Sequence, residues 1–163
     1  MKSASLFLVL SLLFCANSFA QQEKYTTYYY QRATLFEQLP ITSTDIVFLG
    51  NSLTDGCEWA ELFGNPHIKN RGISGDEVMG IYDRIDPILK GKPAKIFLLT
   101  GVNDVSHDLT ADSILVMYRK LVSKIKSDSP KTKLYIQSIL PVNDEFTRFP
   151  KVHNKTQVIL DIN

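Results

Sequence analysis

The chain has 163 residues, of which 44% are hydrophobic, 21% charged and 10% aromatic, and this composition is typical of one soluble globular domain. A formal net charge of +1 provides no basic surplus to neutralise phosphates, which argues against nucleic-acid binding. Two cysteines are too few for a disulfide framework.

The first segment in chain order, residues 1–20, is predicted to be a secretory signal peptide. Lys2 is the only charge before an apolar run from Leu6 to Phe14, and small residues precede a cleavage position after Ala20. The apolar run is too short for a membrane span, which needs about 20 residues. We therefore expect a secreted or periplasmic protein that has no membrane contact after cleavage.

Two cysteines bear on that prediction. Cys15 would suit a lipoprotein anchor, a minor alternative because bulky Phe14 precedes it where lipoprotein signals usually carry a small residue. After cleavage, residues 21–163 would retain only Cys57, so no disulfide could form within the exported chain.

Residues 21–163 alternate predicted helices with predicted strands. Helices are predicted at 25–39, 58–63, 76–89, from a Thr110 cap to Pro130, and at 152–162; strands are predicted at 45–49, 67–70, 94–100 and 134–140. Pro87 should kink or restart the helix that contains it. Alternating elements of this kind indicate right-handed crossovers and a parallel sheet in one α/β domain.

Polar residues and glycines follow each predicted strand, at 50–56, 70–76, 101–104 and 141–144. In parallel sheets, ligands bind beyond the carboxyl ends of the strands. Ser52 in the first group could expose a hydroxyl at a strand-to-helix turn. The backbone N–H groups of Ser52 and Gly72, with the side-chain amide of Asn103, could form an oxyanion hole for a tetrahedral intermediate.

These three residues resemble the motif blocks of the SGNH hydrolases, also called the GDSL esterase/lipase family. Ser52 matches the nucleophile block, with Asn51 where the family name has Asp, and Gly72 and Asn103 match the second and third blocks. The resemblance implies a three-layer α/β/α, flavodoxin-like fold with parallel strand order 2-1-3-4-5. It also implies hydrolysis of ester-linked acyl groups without a cofactor.

The wording of the motifs looks closest to secreted bacterial acylhydrolases that include sialate and other carbohydrate O-acetylesterases. The resemblance therefore implies a small-molecule or carbohydrate ester as substrate, with acetyl as the expected acyl group. Oligomeric state is left open by the sequence.

The family's fourth block, an Asp-x-x-His loop that supplies the general base, has no counterpart before Asn163. We expect a C-terminally incomplete chain that lacks the last strand and helix, with the fourth strand as an exposed edge. Such a chain could be inactive as given. His107 ends a literal Asp-x-x-His match that starts at Asp104, but its place in the chain is wrong, and a solvated loop histidine is the favoured interpretation over a substitute base.

Four further residues near the strand ends receive secondary roles. Asp55 and Asp104 are expected to support the loops structurally, whereas Arg71 and Asn143 could line an acyl or sugar pocket. No His, Cys or carboxylate cluster has metal-ligand spacing, so no metal is expected, and the family resemblance implies no cofactor.

Two other functions stay open. A non-catalytic carbohydrate-binding derivative of the same fold would explain the missing histidine, and a flavodoxin-type nucleotide binder is a weaker third possibility.

Overall fold

A computed structural model describes residues 23–163 of the chain. The predicted signal peptide lies outside the described residues and stays a prediction. The helices are α1 (Thr27–Gln38), α2 (Ser52–Asp55), α3 (Trp59–Leu62), α4 (Val78–Arg84), α5 (Asp86–Lys90), α6 (Val102–Ser106), α7 (Ala111–Asp128) and α8 (Thr156–Ile162), with a 3₁₀ turn at Pro150–Val152. The strands are β1 (Ile46–Gly50), β2 (Ile68–Gly72), β3 (Lys95–Leu99) and β4 (Lys133–Ile136).

The four strands form one parallel sheet in the order β2-β1-β3-β4. Gly50 at the end of β1 is paired with Gly72 of β2 on one side and with Leu99 of β3 on the other. The predicted α/β class and the first four positions of the predicted strand order are therefore confirmed. The register also brings the loops after β1, β2 and β3 to one edge of the sheet.

One face of the sheet carries the main core. Val47 and Leu49 of β1 and Ile96 and Leu98 of β3 alternate along their strands and are fully buried. They pack against apolar side chains from the helices that cover this face, chiefly Ile81, Ile85, Ile88, Ile114, Leu121 and Ile125. The continuous apolar runs predicted as central strands therefore supply the core, because a covered parallel strand has little surface for polar residues.

The opposite face carries a row of stacked aromatic rings. Phe48, Phe97 and Tyr135 lie on neighbouring strands. The ring centroid of Phe97 lies 5.2 Å from that of Phe48 and 4.8 Å from that of Tyr135. Trp59 of α3 stacks on Phe48, with a centroid distance of 4.6 Å. Tyr135 and Ile136 of the edge strand β4 are 43% and 53% exposed. The expected exposed edge is thus present in the described part of the chain.

Two predicted helices are interrupted, each for a local reason. The helix predicted at 76–89 ends at Arg84 and restarts at Asp86, with Pro87 in its first turn, as the proline predicted. The segment predicted as one helix at 152–162 is a 3₁₀ turn followed by α8. Asn154 lies between these two pieces with φ of 58°, a conformation that a continuous helix cannot contain.

The fourth strand is shorter than the predicted 134–140. Its backbone remains hydrogen-bonded to β3 as far as Gln137, whose N–H donates to the Leu98 carbonyl at 2.9 Å. Beyond it, the backbone of Ile139 is bonded twice to the side chain of Asn163, at 2.8 and 3.0 Å. The side chain at the end of α8 therefore takes the backbone groups that a longer strand would have paired.

None of the helices in residues 23–163 is both long enough and apolar enough to cross a membrane.

Candidate active site

Ser52 lies at the carboxyl edge of the sheet, as the first residue of α2. The preceding Asn51 caps this short helix, since its side-chain oxygen accepts the N–H of Leu53 at 3.1 Å. Asn51 is buried and Ser52 is exposed, so the cap fixes the turn from below while the serine hydroxyl faces outward.

The turn into α2 depends on glycine at position 50. A Cβ added there would lie 2.3 Å from the Leu99 carbonyl oxygen and 2.4 Å from Oγ1 of Thr54. Such contacts are impossible without backbone movement, so only glycine allows β1, β3 and α2 to meet this closely. The sharp bend that displays Ser52 follows from that contact.

Asn103 lies in the first turn of α6, directly after the end of β3. Its side-chain nitrogen donates to the Asp76 carbonyl at 2.7 Å. An amide nitrogen carries two hydrogens, so this bond orients the group and leaves the second hydrogen for another acceptor. Asn103 and Ser52 line the same cleft. The structure thus brings together two of the three residues that the sequence analysis placed in an oxyanion hole.

Gly72 takes a different place from the predicted one. Its N–H donates to the side-chain oxygen of Asn70 at 2.8 Å, so this N–H is not free to bind an oxyanion. A Cβ at this position would lie 2.2 Å from the backbone nitrogen of Asp55. The prediction of Gly72 as an oxyanion donor is therefore corrected. Position 72 needs glycine because α2 packs directly against the end of β2.

Gly75 is a further candidate donor at this edge of the sheet, and the residue pattern alone did not indicate it. It has φ of +82° within a turn closed by the Asp76 N–H and the Ile73 carbonyl at 3.1 Å. Its own N–H makes no hydrogen bond within residues 23–163, and the residue is exposed. The Ser74-Gly75-Asp76 sequence was the available signal, because a turn with positive φ at its third position favours glycine.

The turn that contains Gly75 is held between α2 and α6. On one side, Asp55 accepts the backbone N–H of Ser74 at 3.0 Å and its hydroxyl at 2.8 Å. On the other side, the Asp76 carbonyl accepts the Asn103 amide. Gly75 therefore lies between the element that carries Ser52 and the residue that supplies a side-chain donor.

Asp55 also joins this edge to the N-terminal helix. The same carboxylate accepts the hydroxyl of Tyr28 at 2.8 Å, and Arg32 lies 3.6 Å from its second oxygen. The structure therefore gives Asp55 three partners in two separate elements, consistent with the supporting role expected for it.

Arg71 does not reach the cleft. It is buried beneath α1, donates to the carbonyls of Asn70 and Leu39 at 2.8 and 3.1 Å, and stacks on the ring of Phe36. Burial lowers the pKa of its guanidinium to about 10. The expectation that Arg71 could line a substrate pocket is corrected, because these contacts hold it in the α1 interface.

Two buried carboxylates lie beneath the site. Asp104 is fully buried, and both of its oxygens accept the N–H of Val78 at the start of α4, at 3.2 and 3.3 Å. Burial raises the pKa of Asp104 to about 7. Asp76 is paired with Arg84 at 2.7 Å, and burial still raises its pKa, to about 6. Asp104 therefore connects α6 to the start of α4, and Asp76 connects the loop after β2 to Arg84 of α4, both below the exposed Ser52.

The histidines lie elsewhere on the described surface. His107 is exposed and bonded through Nδ1 to Glu77, His67 lies 3.3 Å from Asp45, and His153 contacts the Phe146 carbonyl through Nε2 at 3.1 Å. Among residues 23–163, no histidine lines the cleft with Ser52. The pairing of His107 with Glu77 agrees with the favoured interpretation of a surface loop residue.

The cleft beside Ser52 has a volume of about 560 Å³. Residues at the carboxyl edge of the sheet, including Ser52 and Asn103, form one wall, and the segment after β4, residues 139–152, forms the other. Asn143 belongs to this second wall, with its side-chain oxygen bonded to the Glu145 N–H at 2.9 Å. The described residues contain no group of three or more His, Cys, Asp or Glu side chains that could hold a metal ion.

Comparison with known proteins defines the class of this fold and site. The sequence model of the GDSL-like lipase/acylhydrolase family matches residues 48–161, which include every residue of the cleft described above. The chain belongs to this family, and the resemblance drawn from the motifs is confirmed.

Individual relatives agree with that assignment. The human platelet-activating factor acetylhydrolase IB subunit alpha2 is 25% identical over 124 residues, covering 72% of this chain and 53% of the relative. The chain therefore spans about half the length of the curated relatives that it matches.

Solved structures share the fold. A GDSL-like lipase from Bacteroides thetaiotaomicron is 25% identical, with a TM-score of 0.68 over 83% of this chain and 69% of that one. An acetylxylan esterase from Geobacillus stearothermophilus is 20% identical, with a TM-score of 0.52 over 75% of this chain and 72% of that one.

Proposed function

We propose that the protein is a serine esterase that hydrolyses small ester-linked acyl groups, with Ser52 as the nucleophile. The observation that carries the proposal is the position of Ser52, exposed at the mouth of a cleft that it shares with Asn103. The membership of the chain in an acylhydrolase family supports the same reaction.

In the proposed reaction, the Ser52 oxygen attacks the acyl carbon while a base takes the hydroxyl proton. The tetrahedral intermediate collapses to an acyl-serine and releases the alcohol, and water then hydrolyses the acyl-serine. The proton acceptor is the component that the described residues do not place in the cleft. The family resemblance assigns this role to a histidine in an Asp-x-x-His loop.

Negative charge on the intermediate would be stabilised by hydrogen-bond donors beside Ser52. The donors that the geometry favours are the Ser52 N–H at the start of α2, the free amide hydrogen of Asn103 and the unbonded N–H of Gly75. Gly75 replaces Gly72 in this set because the Gly72 N–H is bonded to Asn70. Loss of one such donor typically lowers turnover by about 10²–10³-fold.

Acetyl is the acyl group that we propose, and a carbohydrate ester is one candidate substrate class. Two relatives support the first choice by description: an acetylhydrolase in humans and an acetylxylan esterase in Geobacillus stearothermophilus. The acetylxylan esterase also supports a carbohydrate ester, although its likeness concerns the fold.

Hydrolysis of p-nitrophenyl acetate tests the proposal directly. The Ser52→Ala variant should lose at least about 10³-fold of the turnover because no nucleophile remains. Ser127→Ala, on the exposed face of α7, is the matched control and should behave as the unaltered protein. Turnover by each variant should be compared with that of the unaltered protein at equal concentration. Absence of Ser52-dependent turnover would overturn the esterase proposal.

One observation favours a second candidate, a non-catalytic binding protein with the same fold: no histidine of residues 23–163 lies in the Ser52 cleft. A binding protein would retain its affinity for a sugar acetate in the Ser52→Ala variant and show no turnover. Labelling by a fluorophosphonate separates the two candidates, since an activated serine should react at Ser52 whereas an ordinary turn serine should not.

A further inference from the structure

The second wall of the Ser52 cleft is mostly apolar and partly aromatic. Phe146 and Phe149 are 48% and 66% exposed, and their ring centroids lie 5.9 Å apart. Further apolar side chains complete this wall, namely Ile139, Leu140, Pro141, Val142, Pro150 and Val152. Exposed apolar groups gathered around one cleft indicate a surface that binds an apolar ligand.

The charged residues that line the cleft all have the same sign. They are Arg148 and Lys151, and no carboxylate lines the cleft among the described residues. Neither cation forms an ion pair or a side-chain hydrogen bond within residues 23–163. The two positive charges are therefore available to a ligand that enters the apolar cleft.

The acidic side chains of Asp108 and Asp144, which lie near these cations, are bonded to other residues. Asp108 lies near Lys151 but is bonded to Lys155 at 2.5 Å. Asp144 accepts the backbone N–H of Asn154 at 2.9 Å, and neither acid lines the cleft.

We propose that the cleft beside Ser52 selects esters whose apolar body, preferably an aromatic ring, carries a negative charge. The apolar body would pack against Phe146 and Phe149, and its anionic group would face Arg148 and Lys151. The orientation toward Ser52 rests on the proposed esterase function, whereas the preference for an anionic apolar ligand is a property of the cleft alone. A neutral sugar acetate could pack on these rings but has no anionic group for Arg148 and Lys151 to bind.

Binding of uncleavable amide analogues tests the preference without requiring turnover. The series is 4-acetamidobenzoate, acetanilide and the 4-acetamidophenyl trimethylammonium ion, which differ in charge on a shared ring, with methyl N-acetylglucosaminide as the neutral carbohydrate. Dissociation constants can be measured by NMR titration of the full chain at low salt. The anionic ring should bind about 5-fold more tightly than the neutral one, and the cationic ring more weakly, as exposed charges contribute modestly. High salt should reduce this difference.

The double variant Arg148→Gln, Lys151→Gln should bind the three rings with equal affinity. Both side chains are exposed, so the variant should fold normally, and Lys131→Gln outside the cleft is the matched control. Equal affinities in the unaltered protein, tightest binding of the sugar, absence of binding by every ligand, or a preference retained in the double variant would each overturn the proposal. None of these outcomes depends on Ser52-dependent turnover, which is measured separately.

Discussion

The two walls of the cleft are built in opposite ways. On the strand-end wall, the two fully enclosed carboxylates are bonded, Asp76 to Arg84 and Asp104 to the Val78 N–H. On the wall formed by residues 139–152, Ile139 belongs to the main core, whereas Phe146, Arg148, Phe149 and Lys151 face solvent. The comparison indicates that the first wall fixes the position of Ser52, whereas the second can change without disturbing the fold.

The largest expected effect comes from the buried ion pair of the strand-end wall. Replacing Arg84 by Met should lower the free energy of unfolding by about 3–5 kcal/mol, because Asp76 would lose its buried partner. Arg84 also donates to the Gly50 carbonyl at 3.2 Å, so the turn before Ser52 should loosen as well. Urea denaturation measures the loss. Lys124→Met, which removes surface pairs with Asp86 and Asp128, is the control and should change stability by less than about 1 kcal/mol. Similar losses for both variants would contradict the contrast.

The second effect is a pH dependence that the buried carboxylates impose on the same wall. Asp104 and Asp76 have pKa values raised to about 7 and about 6 by burial, above those of an unfolded chain. The folded state therefore holds protons that the unfolded state releases, and stability should fall as the pH rises from about 4 to about 7. Asp104 alone should account for a loss on the order of 4 kcal/mol, since each pKa unit corresponds to about 1.4 kcal/mol.

The Asp104→Asn variant tests this assignment, since its amide oxygen can still accept the Val78 N–H. It should unfold much like the unaltered protein at pH 4.5 and be more stable than it at pH 8. Asp112→Asn, on the exposed first turn of α7, should leave the pH profile unchanged. A stability that rises from pH 4 to pH 7 in the unaltered protein would show that burial does not raise the pKa values of Asp104 and Asp76.

A third effect separates the two glycines of the loop after β2. Gly72→Ala should lower the free energy of unfolding by about 2 kcal/mol, because its Cβ would overlap the backbone of Asp55. Gly75→Ala should cost about 1 kcal/mol, since its positive φ is strained while the space around it is open. Thermal unfolding of the two variants measures the difference. A larger loss at Gly75 would contradict the packing role given to Gly72.

The same loop shows where the sequence was sufficient and where it was not. The apolar run at 45–49 predicted the central strand, and the rule that ligands bind at strand ends brought Ser52 and Asn103 to one cleft. The choice between Gly72 and Gly75 depends on the side chain of Asn70 and on a backbone angle, neither of which a residue pattern records.

Long-range contacts explain the other differences. Arg71 follows a strand like a site residue, but contacts with Leu39 and Phe36, more than thirty positions earlier, hold it beneath α1. The wall at 139–152 has no regular period, so the sequence pattern could not show that its aromatic residues gather beside Ser52.

The smallest expected effect on stability lies on that second wall. It tests whether side chains of this wall contribute to ligand binding more than to stability. Phe149→Ala should change the free energy of unfolding by less than about 0.5 kcal/mol, because the side chain is 66% exposed. The same variant should weaken binding of 4-acetamidobenzoate by about 3-fold, since the ring would lose a packing partner. Leu62→Ala, at an equally exposed position on α3, is the matched control for both measurements. A Phe149 variant that unfolds easily would show that the second wall is part of the core. An unchanged affinity would show that the ring faces the cleft without contacting what binds there.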